Sequence, residues 1–259
     1  KRSMSPLPDV GDLLFIGIMH ILLFSRPDFL FQDASICWHL QAGKFIWETR
    51  TIPYTDLFSY TFPDRAWVAY EWLFDLGAYL FTLVGGYNLL AVAISGLIAF
   101  ILIKMYDQAR EKGGTLAVAT FASLIGILAS AVHWLARPHI FTFLGVSFFV
   151  ASLDRFENKN ISGKKLAISL TLMMILWVNC HPAFLLGIVL TGVYFAVSLL
   201  DTIFNYLKKA QPDVITQSFS KVKTYFLTGL LITFATLVNP YGWNLHRYIF
   251  SYLGGSTVL

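Results

Sequence analysis

Apolar runs of roughly bilayer-spanning length recur along the whole chain, and they constrain its fold more than any other feature. A spanning helix needs about 20 mostly apolar residues, fewer where polar flanks snorkel to the interface. Residues 10–25, 88–103, 115–132, 139–153, 166–178, 183–204 and 224–238 fit that description. Charged residues make up only 13% of the chain and hydrophobic ones 56%, where a soluble domain carries about 25% charged residues. A water-soluble core is a poor alternative. The expectation is an all-α membrane protein: a helical bundle of about seven transmembrane helices, in a single transmembrane domain over residues 1–259. The net charge of +4 fits cytoplasmic anchoring better than nucleic-acid binding. No cleavable signal-peptide pattern is evident, so the first apolar run is expected to stay. The chain begins on Lys1 and stops at Leu259 soon after a polar motif, as the N-terminal part of a longer chain would.

One stretch breaks the apolar pattern. From Arg26 to Trp72 the sequence carries Asp28, Asp33, His39, Glu48, Asp56, Asp64 and Glu71 among many aromatics. A loop this long is usually functional or disordered, and its aromatic content argues against disorder. We expect residues 26–87 to be a folded outer loop inserted after the first helix, with interfacial helices. Residues 67–84 are amphipathic and end at Gly85-Gly86, a strong breaker. Charge decides whether they cross. If they lie at the interface and the N-terminus is cytoplasmic, the inner side gathers Lys1, Arg2, Lys104, Arg110, Lys112, Arg155, Lys159, Lys164, Lys165, Lys208, Lys209, Lys221 and Lys223. Only Arg26, Lys44, Arg50, Arg65, Arg137 and Arg247 fall outside. If they cross, each later basic cluster lands outside, against the positive-inside rule. The seven-span topology puts Arg137-Pro138-His139, Asn179-Cys180-His181-Pro182 and Asn239-Pro240-Tyr241-Gly242 at outer helix ends, on the side of the loop.

The candidate chemistry lies on that outer face. Asp33 is either a general base, with a pKa raised in a partly dry pocket, or the N-cap of a helix over residues 37–48. His39 is its candidate companion. Glu71, between Tyr70 and Trp72, is either a second carboxylate facing Asp33 or a solvated charge on an amphipathic helix. Turn chemistry explains Asp56 in Pro53-Tyr54-Thr55-Asp56. Arg137 suits a phosphate, which a guanidinium grips with two donors, and lipid headgroups would also draw it. His139 flanks the same proline. Asn179 and His181 sit in a break between spans, where ionisable groups default to function. Tyr241 belongs first to a helix stop, and with Arg137, His139, Asn179 and His181 it is a candidate for substrate binding. Cys37 and Cys180 form no disulfide framework, though a pairing on the outer side is open. No Gly-rich phosphate loop, H-E-x-x-H, paired C-x-x-C or G-x-S-x-G occurs. A pre-activated, lipid-linked substrate therefore fits better than ATP- or NAD-driven chemistry.

The ordered set Asp33…Trp38-His39-Leu40…Gly43…Ile52-Pro53…Asp56-Leu57-Phe58-Ser59-Tyr60…Trp67…Glu71-Trp72, then Ala136-Arg137-Pro138-His139, Trp177-Val178-Asn179-Cys180-His181 and Asn239-Pro240-Tyr241-Gly242-Trp243, resembles a group of bacterial polytopic proteins. They are grouped with the GT-C glycosyltransferases, the superfamily of the protein O-mannosyltransferases. The resemblance covers nearly the whole chain. It implies a GT-C-like bundle in a bacterial inner membrane and transfer of a sugar from a polyprenyl-phosphate carrier. The acceptor would be a glycan, lipid or protein on the outer face. It also implies that Asp33 is the catalytic base. Ser35 stands where group members often carry a second acid, so a divalent metal stays open and no other cofactor is implied. Pro182-Ala183 stands where they often carry Gly-Gly. The expected partners are the bilayer, the lipid-linked sugar and the acceptor. A transporter or flippase for a lipid-linked or anionic solute is the second reading, disfavoured because the polar motifs cluster at one face rather than at mid-membrane. A non-catalytic membrane scaffold is the third.

Overall fold

The structure, a computed structural model, describes residues 8–61 and 65–254. Lys1 and Arg2 of the inner-side charge count, and Asp64 of the outer loop, lie outside the described residues. The described chain is helical, with no named strand and one isolated antiparallel bridge, Thr55–Ala66. It divides into two compact units: residues 1–51 with 72–143, and residues 52–71 with 144–259.

In the first unit, α1 (Val10–His20) starts at a capping box. The Asp9 carboxylate accepts from the Asp12 amide, and Asp12 returns the bond to the Asp9 amide, each at 2.9 Å. Two orphan donors of the first turn are thereby satisfied. A wider turn over Ile21–Ser25 continues the helix. A single 3-10 turn, Phe29–Phe31, leads to α2 (Ser35–Thr49). α3 (Trp72–Glu111) is kinked at Gly85 and Gly86, the latter at φ +64°. That backbone suits glycine because it lacks a Cβ. The break expected between residues 84 and 88 is therefore present as a kink, with helix on both sides. The first arm begins at Trp72, five residues later than the amphipathic pattern indicated. α4 (Leu116–Ser130), capped by the Thr115 hydroxyl, completes this unit's helices. Phe74, Asp75 and Ala78 of α3 and Ile36, His39, Leu40, Gly43 and Ile46 of α2 are buried. The two helices touch backbone to backbone. A Cβ on Gly43 would sit 2.0 Å from the Asp75 carbonyl oxygen, so only glycine permits this approach.

α5 (Ile140–Glu157) leads into the second unit, which holds α6 (Gly163–Val178), α7 (Leu185–Leu207), α8 (Pro212–Ala235) and α9 (Trp243–Leu253). The sequence pattern did not indicate α9. Its core is built from Phe149, Leu153, Leu166, Leu170, Met174, Trp177, Phe184 and Tyr225, all with essentially no exposed surface. Residues 52–61 and 65–71, also in this unit, form no helix or named strand. Asp56 accepts from the amides of Phe58 and Ser59 and from the Ser59 hydroxyl, the turn role expected of it.

Among the described residues three helices are long and apolar enough to cross a membrane: Trp72–Glu111, Leu116–His133 and Pro182–Leu207. Their outward faces suit hydrocarbon rather than water. In α4, Val118, Phe121, Ile125, Leu128 and the following Val132 are all more than half exposed. A helix apolar all round, with its face unburied by protein, is a membrane helix. Helices occupy the other expected spans as well, but they fall short on length or charge. α6 has 16 residues, about 24 Å of rise against a hydrocarbon core of about 30 Å. α5 ends in Asp154-Arg155-Phe156-Glu157, and Val10–Ser25 is a shorter apolar helix.

Candidate functional site

The first unit brings Asp33 and Arg137 together. An Arg137 Nη donates to Asp33 Oδ2 at 2.7 Å, and both side chains remain reachable, Arg137 42% and Asp33 30% exposed. Each is placed by local backbone. Asp33 Oδ1 accepts from the Ser35 amide at 2.8 Å, one residue before the N-cap of α2, Ala34. The carboxylate thus stabilises the start of that helix, as a cap does. Arg137 follows Ala136, whose amide bonds the Leu30 carbonyl at 2.8 Å. That bond clasps the 3-10 turn to the arginine's own turn.

The expected raised pKa of Asp33 is corrected. The Ser35 amide and hydroxyl, followed by Arg137, hold its carboxyl below the usual carboxylate value, and the small desolvation cost does not offset them. Donors aimed at the charged form favour ionisation. Asp33 is a resident carboxylate, a weak base ready to accept a hydrogen bond.

His39 lies beneath this pair in α2, 1% exposed, with Nδ1 2.7 Å from Asp75 Oδ1. Burial lowers its pKa, with Arg137 adding in the same direction and Asp33 opposing. The imidazole is neutral and donates Nδ1–H to the Asp75 carboxylate. His39 therefore cannot reach a ligand directly while this packing holds, and it acts through the helix it anchors. Sequence reasoning passed over Asp75. Its signal was an acid amid the apolar residues of the α3 first arm, four residues after Glu71. His139 Nε2 bonds the His133 carbonyl at 2.6 Å, and the two rings meet edge to face. Its outward nitrogen is committed to backbone.

In the second unit, Glu71 and His181 approach each other, Oε1 to Nε2 at 4.0 Å. His181 begins a 3-10 turn, Pro182–Phe184, and accepts from the Ala183 amide through Nδ1 at 3.4 Å. It lines a half-open cleft of about 400 Å³ with Tyr70, Leu186, Tyr248 and Tyr252. Burial raises the Tyr248 pKa, so the phenol keeps its proton. The cleft offers phenolic hydroxyls, an imidazole and a neighbouring carboxylate against apolar walls.

Asn179 and Tyr241 are structural here. Asn179 Nδ2 donates to the Ile175 and Val238 carbonyls, both at 2.8 Å, tying the end of α6 to the end of α8. The Tyr241 hydroxyl accepts from the Ala69 amide at 2.9 Å and donates to the Pro53 carbonyl at 2.7 Å. Its neighbour Pro240 accepts from the Tyr54 hydroxyl at 3.2 Å. The Asn239-Pro240-Tyr241-Gly242 motif therefore braces the segment that carries Glu71, and its polar atoms are already in use.

Both cysteines are free thiols, Cys37 exposed and Cys180 buried. Among the described residues no group of three His, Cys, Asp or Glu side chains comes together to hold a metal ion. No protein-family model matches the chain, and neither a curated protein nor a solved structure matches it.

Proposed function

We propose that this protein is a membrane glycosyltransferase that moves a sugar from a polyprenyl-phosphate carrier to an acceptor hydroxyl on the outer face, within a GT-C-like bundle. The observation that carries the reading is the Asp33–Arg137 pair: a reachable carboxylate in the polar loop and a reachable guanidinium in the turn before α5, each fixed by local backbone. In an inverting transfer the acceptor oxygen bonds to the anomeric carbon as the bond from that carbon to the phosphate oxygen breaks. The acceptor proton goes to the base, and the phosphate leaves with the electron pair. Asp33 is the base, and Arg137 holds the departing phosphate, where charge builds in the transition state. Base and leaving group lie on opposite sides of the reacting carbon, so the 2.7 Å contact belongs to the resting protein and must open. A half-exposed pair is worth only about 0–1 kcal/mol, and a phosphate with two donor contacts to Arg137 offsets that. In the second unit, the cleft beside Glu71 and His181 is assigned to a hydroxyl-bearing ligand.

The test is transfer of radiolabelled sugar from polyprenyl-phosphate donors by membranes carrying Asp33→Asn. Transfer is expected to vanish while the variant still inserts. Unchanged turnover removes Asp33 from the mechanism.

A further inference from the structure

A second polar cavity, away from the groups above, lies within the second unit. It has a volume of about 470 Å³ and runs between the α5–α6 turn and one face of α8. The turn contributes Lys159, Asn160 and Ser162; α8 contributes Gln217, Ser220, Lys221 and Thr224. Lys159 has a left-handed backbone, φ +59°, and makes no ion pair among the described residues. Lys221 is held in place by Glu157, Nζ to Oε2 at 2.5 Å, and Glu157 also accepts from the Tyr225 hydroxyl at 2.5 Å. The Lys221 charge is thus shared with a carboxylate, whereas that of Lys159 is not.

The face of α8 that lines the cavity continues as an apolar stripe. Ser220 and Thr224 are followed at helical spacing by Leu227, Leu231 and Phe234. These three are 47%, 49% and 66% exposed. A basic polar cavity at one end of an exposed apolar helix face fits a molecule with an anionic head and hydrocarbon tails. We infer that this cavity binds the phosphate of an anionic phospholipid, with the acyl chains lying along Leu227, Leu231 and Phe234. The charge pattern that places Lys159 and Lys221 on the cytoplasmic side agrees, since that leaflet carries the anionic lipid.

The test uses the full chain in neutral detergent, titrated with phosphatidylglycerol, phosphatidylcholine or inorganic phosphate and read by native mass spectrometry. Phosphatidylglycerol should bind more tightly than phosphatidylcholine. Lys159→Asn, which keeps a residue tolerant of the left-handed backbone, should lower that preference by about five-fold, the effect of one lysine near an anionic surface. Lys209→Asn is the matched control: another exposed basic turn residue with a left-handed backbone, φ +52°, outside the cavity. It should leave the preference unchanged. Equal binding of the two lipids, equal losses in the two variants, or inorganic phosphate binding as tightly as phosphatidylglycerol would each overturn the inference.

Discussion

Replacing Tyr241 with Phe tests whether this residue is a brace or a ligand contact. The substitution removes one oxygen and keeps the ring that packs edge to face on Tyr54 at 5.1 Å. Two partners lose their hydrogen bonds, the Ala69 amide and the Pro53 carbonyl. Ala69 is 3% exposed and Tyr241 itself 8%, so water does not readily replace the hydroxyl. Each intramolecular hydrogen bond is worth about 1 kcal/mol net, and a buried group left unsatisfied costs about 1–3 kcal/mol. The loss should therefore be at least about 2 kcal/mol, a factor of about thirty in the local opening equilibrium. Hydrogen exchange of the segment around Ala69, followed by mass spectrometry in detergent, reads that equilibrium directly. About thirty-fold faster exchange is expected at Ala69, with α6 and α7 unaffected. Exchange within two-fold of wild type would refute the brace.

Three further outcomes follow from the same geometry. Asp33 has its folded pKa below 3.8, so the stability its charge supplies is present above about pH 4 and is lost as pH falls through the folded value. Carbon-13 titration of labelled Asp33 should show this, and Arg137→Gln should raise the value without lifting it above 3.8, because the Ser35 donors are the larger cause; a value above 4 in wild type counts against the assignment. Asp75→Leu removes the carboxylate that accepts the buried His39 Nδ1–H, and the donor left unsatisfied should cost about 1–3 kcal/mol, seen as a lowered midpoint of thermal unfolding in detergent, with an unchanged midpoint as the contrary result. Gly43→Ala places a methyl against the Asp75 carbonyl and should destabilise the first unit by about 1–3 kcal/mol through overpacking; hydrogen exchange faster in α2 than in α7 checks that the damage is local.

The sequence by itself determined the helical class, the polar loop, the Gly85-Gly86 break and the helix starting near Asp33. Apolar runs in a chain so poor in charge leave few other folds, because unpaired backbone groups are intolerable in hydrocarbon and a helix satisfies them within one segment. It also marked Arg137 and Asp33 as candidates, but not their pairing: 104 positions separate them, and no local pattern encodes a meeting at that distance. Tertiary structure alone decided the rest. Asp75, passed over in the sequence, gained its role only where packing of α2 on α3, permitted by Gly43, put it against His39. Tyr241 and Asn179 looked like ligands because polar groups at helix ends are ambiguous in a sequence. Whether such a group faces a substrate or a carbonyl depends on which distant backbone arrives beside it. The depressed pKa of Asp33 has the same origin, since the sign of a shift is set by the donors that converge on a carboxylate.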